Sequence, residues 1–89
     1  MLVYNAHMEI RFTQSARKHR IGKAHAFHVM ERHIPIRDRA EDGSGDRLVW
    51  IGEDDRGLEL EIVAIELPEY LLVIHVMATD LRRRKFSGN

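Results

Sequence analysis

The chain has 89 residues, of which 44% are hydrophobic and 31% are charged, and it contains no cysteine. This composition predicts one small globular domain over residues 1–89, and it excludes a disulfide scaffold, a thiolate nucleophile and any metal site with cysteine ligands. It is also typical of a protein of the reducing cytoplasm, which is the expected location. A domain this short has too few residues to enclose a deep cavity, so we expect its functional residues on the surface.

The formal net charge is zero because three charged blocks cancel. Residues 1–39 carry eight basic and three acidic side chains, residues 40–80 carry two and eleven, and residues 81–89 carry four and none. The net charges of the blocks are therefore +5, −9 and +4. Such segregation predicts a surface with a basic and an acidic side, so a polyanionic substrate is compatible with a neutral chain.

No run of this sequence approaches the roughly 18 consecutive apolar residues that a membrane helix needs, so no membrane partner is expected. The first residues lack the basic region and the long apolar region of a signal peptide. Met8 is a second candidate start, and residues 1–7 would then be an extension.

A strand and two helices are predicted in the first half of the chain. Apolar and charged side chains alternate over residues 8–12, which predicts a strand. Two helical segments follow, and their predicted spans are residues 16–20 and 23–33. Ser15 is the predicted N-cap of the first helix, and Pro35 enforces the end of the second. The predicted core stripe of the second helix contains Ala24, Phe27 and Met30.

The second half of the chain is rich in β-forming residues. Residues 35–46 contain one proline and two glycines, which predicts a flexible loop. Three predicted strands follow and cover residues 47–51, 58–67 and 70–77. Glycines that tolerate positive φ bracket the first connection, and Pro68 with Glu69 closes the second as a tight hairpin. The order β-α-α-β-β-β predicts an α+β fold, with two N-terminal helices on one face of a mostly antiparallel sheet of about four strands.

The last predicted strand is apolar on both faces, which a single layer of helices does not explain. A partner is therefore expected to cover the outer face, either a second copy of the chain in a homo-oligomer or another protein. The expected seam contains Val63, Ile65, Leu71 and Val73.

His75 interrupts this apolar strand, and its neighbours depend on the register of the hairpin. A two-residue turn places His75 opposite Ile62 among aliphatic side chains, whereas a three-residue loop places it opposite Val63 and brings Glu61 onto its face. Only the second register makes a histidine and glutamate pair suited to proton transfer. The alternative interpretation is a histidine that is satisfied within a core or an interface.

Two basic groups are candidates for binding phosphate. The first surrounds His19, a residue able to move a proton near neutral pH, and contains Arg17, Lys18 and Arg20. The second contains Arg82, Arg83, Arg84 and Lys85. Four contacts of this kind with a single-stranded backbone would give a log–log salt slope of about −3. The alternative interpretations are a solvated helix face and a disordered basic tail over residues 82–89.

Neither a metal nor another cofactor is expected. His25 and His28 are three residues apart on one predicted helix, but a zinc site needs three or four ligands in a fixed arrangement. The glycines are isolated and fall in predicted turns, so the sequence contains no phosphate-binding loop and no dinucleotide fingerprint.

Three segments resemble the BrnT-like branch of the RelE-type bacterial toxins, which are small ribonucleases of toxin–antitoxin modules. They lie between Ser15 and Met77 and comprise Lys18-His19-Arg20-Ile21-Gly22, Arg47-Leu48-Val49-Trp50-Ile51-Gly52 and Leu71-Leu72-Val73-Ile74-His75-Val76. Arg20 departs from the pattern, because it stands where that family has glycine.

This resemblance implies a RelE-like fold and an mRNA endonuclease that needs no metal, activates the ribose 2′-hydroxyl and has a cognate antitoxin as partner. The implied roles are proton transfer by His19 or His75 and stabilisation of phosphate charge by Arg17, Lys18, Arg82 and Arg83. Two other classes of function are compatible with the sequence: a non-catalytic interaction module, and a nucleic-acid binder without cleavage activity.

Overall fold

A computed structural model describes residues 8–80 of the chain, and it confirms the α+β class. The two helices are α1 (Gln14–Arg17) and α2 (Lys23–Arg32). The five strands are β1 (Glu9–Phe12), β2 (Ile36–Asp38), β3 (Arg47–Glu53), β4 (Glu59–Glu66) and β5 (Tyr70–Ala78). Neither helix in this part of the chain is long and apolar enough to cross a bilayer. The predicted extension over residues 1–7 and the predicted basic tail over residues 82–89 lie outside the described residues.

The strands form one mixed sheet in the order β1-β5-β4-β3-β2. Strands β2 to β5 are antiparallel neighbours, and β1 pairs with β5 in parallel. The prediction of about four strands was therefore wrong, because β2 lies inside the segment predicted as a loop. Its three residues are all exposed and two of them are charged, so β2 has no hydrophobic alternation to reveal it. Pairing of Ile36 with Val49 of β3 holds it in the sheet.

Both helices differ in detail from the prediction. The N-cap of α1 is Thr13 instead of Ser15, since the Thr13 hydroxyl accepts a hydrogen bond from the backbone N–H of Ala16 at 3.2 Å. The second helix ends one residue before His33, close to the prediction. Its buried face is different, because Ala24 is exposed while Ala26, Val29 and Met30 are buried.

One hydrophobic cluster joins the sheet to both helices. Ala16 of α1 and the three buried residues of α2 belong to it, together with the inward residues of the three central strands. The strand residues are Leu48, Trp50, Leu60, Ile62, Ala64, Leu71, Val73 and Val76. Both helices therefore cover the same face of the sheet, as predicted. They lie between β1 and β2 in the middle of the chain, and not at its N-terminus as predicted.

A β-bulge divides β5 into two parts, and different alternate residues face the helices in each part. Leu67 donates its backbone N–H to the carbonyl of Tyr70 at 3.0 Å, which closes the predicted two-residue hairpin turn. Ala64 lies opposite Val73, but the next residue of β4, Val63, lies opposite His75. The intervening residue of β5 has no partner, which is the definition of a bulge.

The bulge changes which residues of β5 face the helices, and it corrects the predicted partner seam. Leu71 and Val73 are buried under the helices before the bulge, whereas Val76 is buried there after it. Leu71 and Val73 therefore do not lie on the outer face, where the partner seam was predicted. His75 lies on the outer face with Val63. The strand pair follows the two-residue-turn register before the bulge and the three-residue-loop register after it.

The turn between β3 and β4 is built around Asp54, the buried charged side chain among residues 8–80. Its Oδ1 accepts the backbone N–H groups of Arg56 and Leu58 at 2.8 and 3.1 Å. Its Oδ2 accepts Nε and Nη2 of Arg56 at 2.9 and 2.7 Å. Both carboxylate oxygens are thus fully used in holding the turn.

We predict that Asp54→Asn lowers the free energy of unfolding by about 1–3 kcal/mol at neutral pH, because an amide leaves buried donors of the turn without an acceptor. Burial alone would raise the pKa of Asp54, but the hydrogen bonds from Arg56 and from the two backbone amides hold that pKa below the ordinary value of an aspartate. The charged carboxylate therefore stabilises the fold above about pH 4, and this contribution is lost as the pH falls through the lowered pKa.

Urea unfolding at several pH values measures this prediction. The gap between the wild-type chain and Asp54→Asn is expected to narrow below about pH 4. Glu69→Gln, at an exposed carboxylate in the hairpin turn, is the matched control and should leave the unfolding curve unchanged. An Asp54→Asn chain as stable as wild type at neutral pH would contradict the assigned role of Asp54.

Gly52 of β3 makes room for the imidazole of His33. A Cβ at Gly52 would overlap the His33 ring, while its backbone does not have positive φ. Only the second glycine of the turn, Gly57, has the positive φ that was predicted for both, at 79°. The glycine at position 52 therefore serves the packing of the α2 C-terminus on the sheet.

We predict that Gly52→Ala lowers the free energy of unfolding by about 1–3 kcal/mol, because the added methyl group must displace the His33 ring. Gly22→Ala is the control, since its Cβ would lie at an ordinary 3.5 Å from His25. Thermal and urea unfolding of both variants measure the difference. Equal stability of the two variants would show that His33 moves aside without cost.

Candidate functional site

The candidate site centres on His75, which lies just after the bulge of β5. Its Nε2 lies 3.1 Å from Oε1 of Glu61 on the neighbouring strand. The imidazole is about one-third exposed, whereas the Glu61 side chain is mostly buried. A carboxylate in this position orients the imidazole ring through the hydrogen bond. The histidine and glutamate pair that the second register predicted is therefore present.

His19 lies beside this pair. Its ring centroid is 6.5 Å from that of His75, and the two rings meet edge to face at 81°. His19 is half-buried and follows α1, which packs against β5. The structure therefore brings together the two histidines that the sequence analysis had singled out separately, although 56 positions separate them along the chain.

Arg17 and Lys18 lie at the exposed C-terminal end of α1, directly before His19. The predicted basic group is thus placed at the end of a one-turn helix and in the link to α2. Arg82, Arg83 and Arg84 lie outside the described residues, so their predicted contribution stays a prediction.

The backbone of Arg20 is left-handed. Its φ is +57°, and among residues 8–80 it is the non-glycine residue with positive φ. Its N–H donates to the carbonyl of Arg17 at 2.9 Å, so the chain turns tightly around His19 before α2 begins. A side chain in this conformation costs roughly 1–2 kcal/mol, and glycine avoids that cost.

We predict that Arg20→Gly raises the free energy of unfolding by about 0.5–1 kcal/mol, because relief of the left-handed strain exceeds the entropy that glycine adds to the unfolded chain. Arg17→Gly removes the same charge from a right-handed helical position and should instead lower the free energy of unfolding by about 1 kcal/mol. Urea unfolding of the two variants distinguishes backbone strain from charge. A destabilised Arg20→Gly chain would contradict this account of the turn.

A second cluster of polar groups joins α2 to the β3–β4 turn. Ligand atoms of His25, Asp54 and Asp55 lie within 4.8 Å of one another, a spacing that a metal ion could use within residues 8–80. However, both oxygens of Asp54 are already engaged in the turn, and Nδ1 of His25 lies 2.5 Å from Oδ1 of Asp55. The hydrogen bond from His25 lowers the pKa of Asp55. The cluster therefore acts as a hydrogen-bonded link that ties α2 to the turn.

Sequence reasoning missed this link between His25 and Asp55. The two residues are 30 positions apart, and no periodicity joins a helix to a distant turn. The sequence did contain one usable signal. When two adjacent aspartates occupy a short turn, one can hold the turn while the other pairs with a cation outside the turn.

Comparison with models of protein families, with curated proteins and with solved structures finds no match to this chain. The resemblance to RelE-type toxins therefore depends on the residues quoted for it, and the proposals below depend on the geometry of the site.

Proposed function

We propose that the chain is a metal-independent endoribonuclease of the RelE-type toxin class, which acts on mRNA in the cytoplasm and is controlled by a cognate antitoxin. The observation that carries this proposal is the contact of two imidazoles, one of them paired with a carboxylate, beside exposed cations. Cleavage of RNA at the ribose 2′-hydroxyl needs a base, an acid and positive charge at the phosphate, and this arrangement offers all three.

In this proposal His75 is the general base. It takes the proton of the 2′-hydroxyl, and the 2′-oxygen then attacks phosphorus. Glu61 keeps the ring in place and stabilises the imidazolium that forms, as a carboxylate does behind a catalytic histidine. Protonated His19 gives its proton to the departing 5′-oxygen. The products are a 2′,3′-cyclic phosphate and a free 5′-hydroxyl, so atoms and charge balance without a co-reactant.

The charged side chains around the site favour the approach of a polyanionic substrate from one side. Arg17 and Lys18 lie on the α1 side of His19, where a polyanion is attracted. The exposed glutamates at the end of β3 and the start of β4 repel it from the other side. Arg82, Arg83 and Arg84 are proposed as further phosphate contacts on the strength of the sequence alone.

We predict that the purified chain cleaves a fluorophore-labelled RNA in the presence of a chelator and leaves the 2′-deoxy analogue intact. His19→Ala and His75→Ala should each lower the cleavage rate about 10²–10⁴-fold, since each removes a proton-transfer group. Glu61→Gln should give a smaller loss, because it affects the reaction through the orientation and charge of His75. The rate of the intact chain should show a bell-shaped dependence on pH.

His28→Ala on α2 is the matched control and should cleave at the wild-type rate, because His28 lies outside the site. Expression of the intact chain in bacteria should arrest growth, and the two active-site variants should relieve the arrest. An intact, folded chain that neither cleaves RNA nor slows growth would rule out the proposed catalysis.

The second candidate function is an interaction module without catalysis. The aliphatic side chains exposed on the sheet favour it, since monomeric proteins rarely leave such residues clustered in solvent. Binding of RNA without products, lost at high salt, would instead identify the third class that the sequence allows, a nucleic-acid binder.

A further inference from the structure

The outer face of the sheet, which points away from the helices, is ordered in rows that cross the strands. The arginine row crosses β3, β4, β5 and β1 and consists of Arg47, Ile65, Leu72 and Arg11. The histidine row lies next to it and consists of Val49, Val63 and His75. On the other side of the histidine row, Glu53 and Glu59 lie opposite each other at the ends of β3 and β4. The proposed catalytic pair therefore has arginines on one side and glutamates on the other.

Arg11 and Tyr70 form a stacked pair at one end of the arginine row. The residues that flank Arg11 pack against the core, so its exposed side chain lies on the outer face. Tyr70 lies on the same face, because the next residue, Leu71, is buried in the core. The guanidinium carbon of Arg11 lies 4.1 Å from the centre of the Tyr70 ring, and Nε donates to the Glu9 carboxylate at 2.5 Å. A planar guanidinium held on an aromatic ring is a surface on which a nucleic-acid base can stack.

The distance from this pair to His75 fits a short stretch of single-stranded RNA. Successive rows are about 7 Å apart, because two strand residues separate them. Arg11 lies one row from the histidine row and Tyr70 lies two rows from it, which together span about two to four nucleotides at ~3.4 Å per stacked nucleotide. The side chains between them on this face, Ile65 and Leu72, are aliphatic and suit contact with the faces of unpaired bases.

We propose that a single strand of RNA lies along the outer face and that Arg11, stacked on Tyr70, binds a base about two to four nucleotides from the cleaved bond. Arg47, at the other end of the arginine row, contacts a phosphate of the strand. Asp38 lies opposite Arg47 and offsets part of its charge, so stacking contributes more to binding here than charge does. The position of the cleaved bond rests on the proposed function, whereas binding at this site does not require cleavage.

The test measures binding of the full chain to a labelled, single-stranded 2′-O-methyl RNA, which the proposed reaction cannot cleave. By fluorescence anisotropy, Tyr70→Ala should weaken binding about fivefold to thirtyfold, the range expected when one base loses an aromatic ring on which it stacks. Tyr70→Phe keeps the ring and should bind like wild type. Arg11→Lys keeps the charge but loses the planar surface, so it should weaken binding about threefold to tenfold. This exposed substitution tests the stack even if Tyr70→Ala does not fold.

Two further comparisons separate stacking from charge. Arg47→Ala should make the log–log salt slope of binding shallower by about 0.7, since it removes one phosphate contact. Arg32→Ala, at an exposed cation of α2 on the other side of the sheet, is the matched control and should leave affinity and slope unchanged. Double-stranded RNA should bind more weakly than the single strand, because its bases are paired and not free to stack.

Equal binding of the single strand by wild type, Tyr70→Ala and Arg11→Lys would overturn the proposal, as would equal binding of single- and double-stranded RNA. A chain that binds through Tyr70 without cleaving would remove the proposed catalysis and support this site. A chain that cleaves RNA while Tyr70→Ala and Arg11→Lys bind normally would do the reverse.

Two measurements locate the bound strand. Amide resonances of Val63 and Leu72 should shift when RNA is added, and shifts confined to α2 would overturn the proposal. Sedimentation covers a different occupant of the same face. A dimer that Ile51→Ser dissociates and that RNA does not displace would assign the outer face to a second copy of the chain and would also overturn it.

Discussion

The extra residue in β5 is the constraint on which both faces of the sheet depend. Leu71 and Val73 are buried in the core before the bulge, and Val76 is buried there after the bulge. Without the bulge, the register of the tight hairpin would run on and His75 would point among core aliphatics opposite Ile62. A buried imidazole without a partner is costly, so the bulge reconciles a two-residue turn, a closed core and a polar pair on one strand.

The carboxylates of the acidic middle block divide into two kinds according to their partners. Asp54 holds the β3–β4 turn, and Asp46 accepts Arg37 of β2 at 2.8 Å and the backbone N–H of Ala40 at 3.1 Å. Arg37 also reaches Glu66 at the end of β4, so this network fastens the edge strand to the sheet. Glu53 and Glu59 form no ion pair with a cation among residues 8–80, and Glu59 accepts a hydrogen bond from the Thr79 hydroxyl. The same block of sequence thus supplies both the carboxylates that hold the fold together and carboxylates that stay exposed on the sheet.

The candidate site was predictable to the extent that its groups are local in sequence. Two features could be identified from the sequence because each contrasts with its neighbours. They are the basic group from Arg17 to Arg20 and the polar residue His75 in an apolar strand. Their meeting was not predictable, since it requires α1 to lie along β5, and that placement follows from burial of Ala16 in the shared core. The left-handed turn at Arg20 was equally hidden, because arginine gives no local signal for positive φ.

The sequence by itself determined the α+β class, the approximate spans of α2, β3, β4 and β5, and the tight turn at Pro68 and Glu69, because these depend on periodicity and on turn residues. Only the tertiary structure decided that β2 exists, since three exposed residues form a strand solely by pairing with β3. It also decided that β1 is parallel to β5 and that His75 faces Glu61. Strand neighbours and bulges are set by packing between distant segments, which no local pattern records.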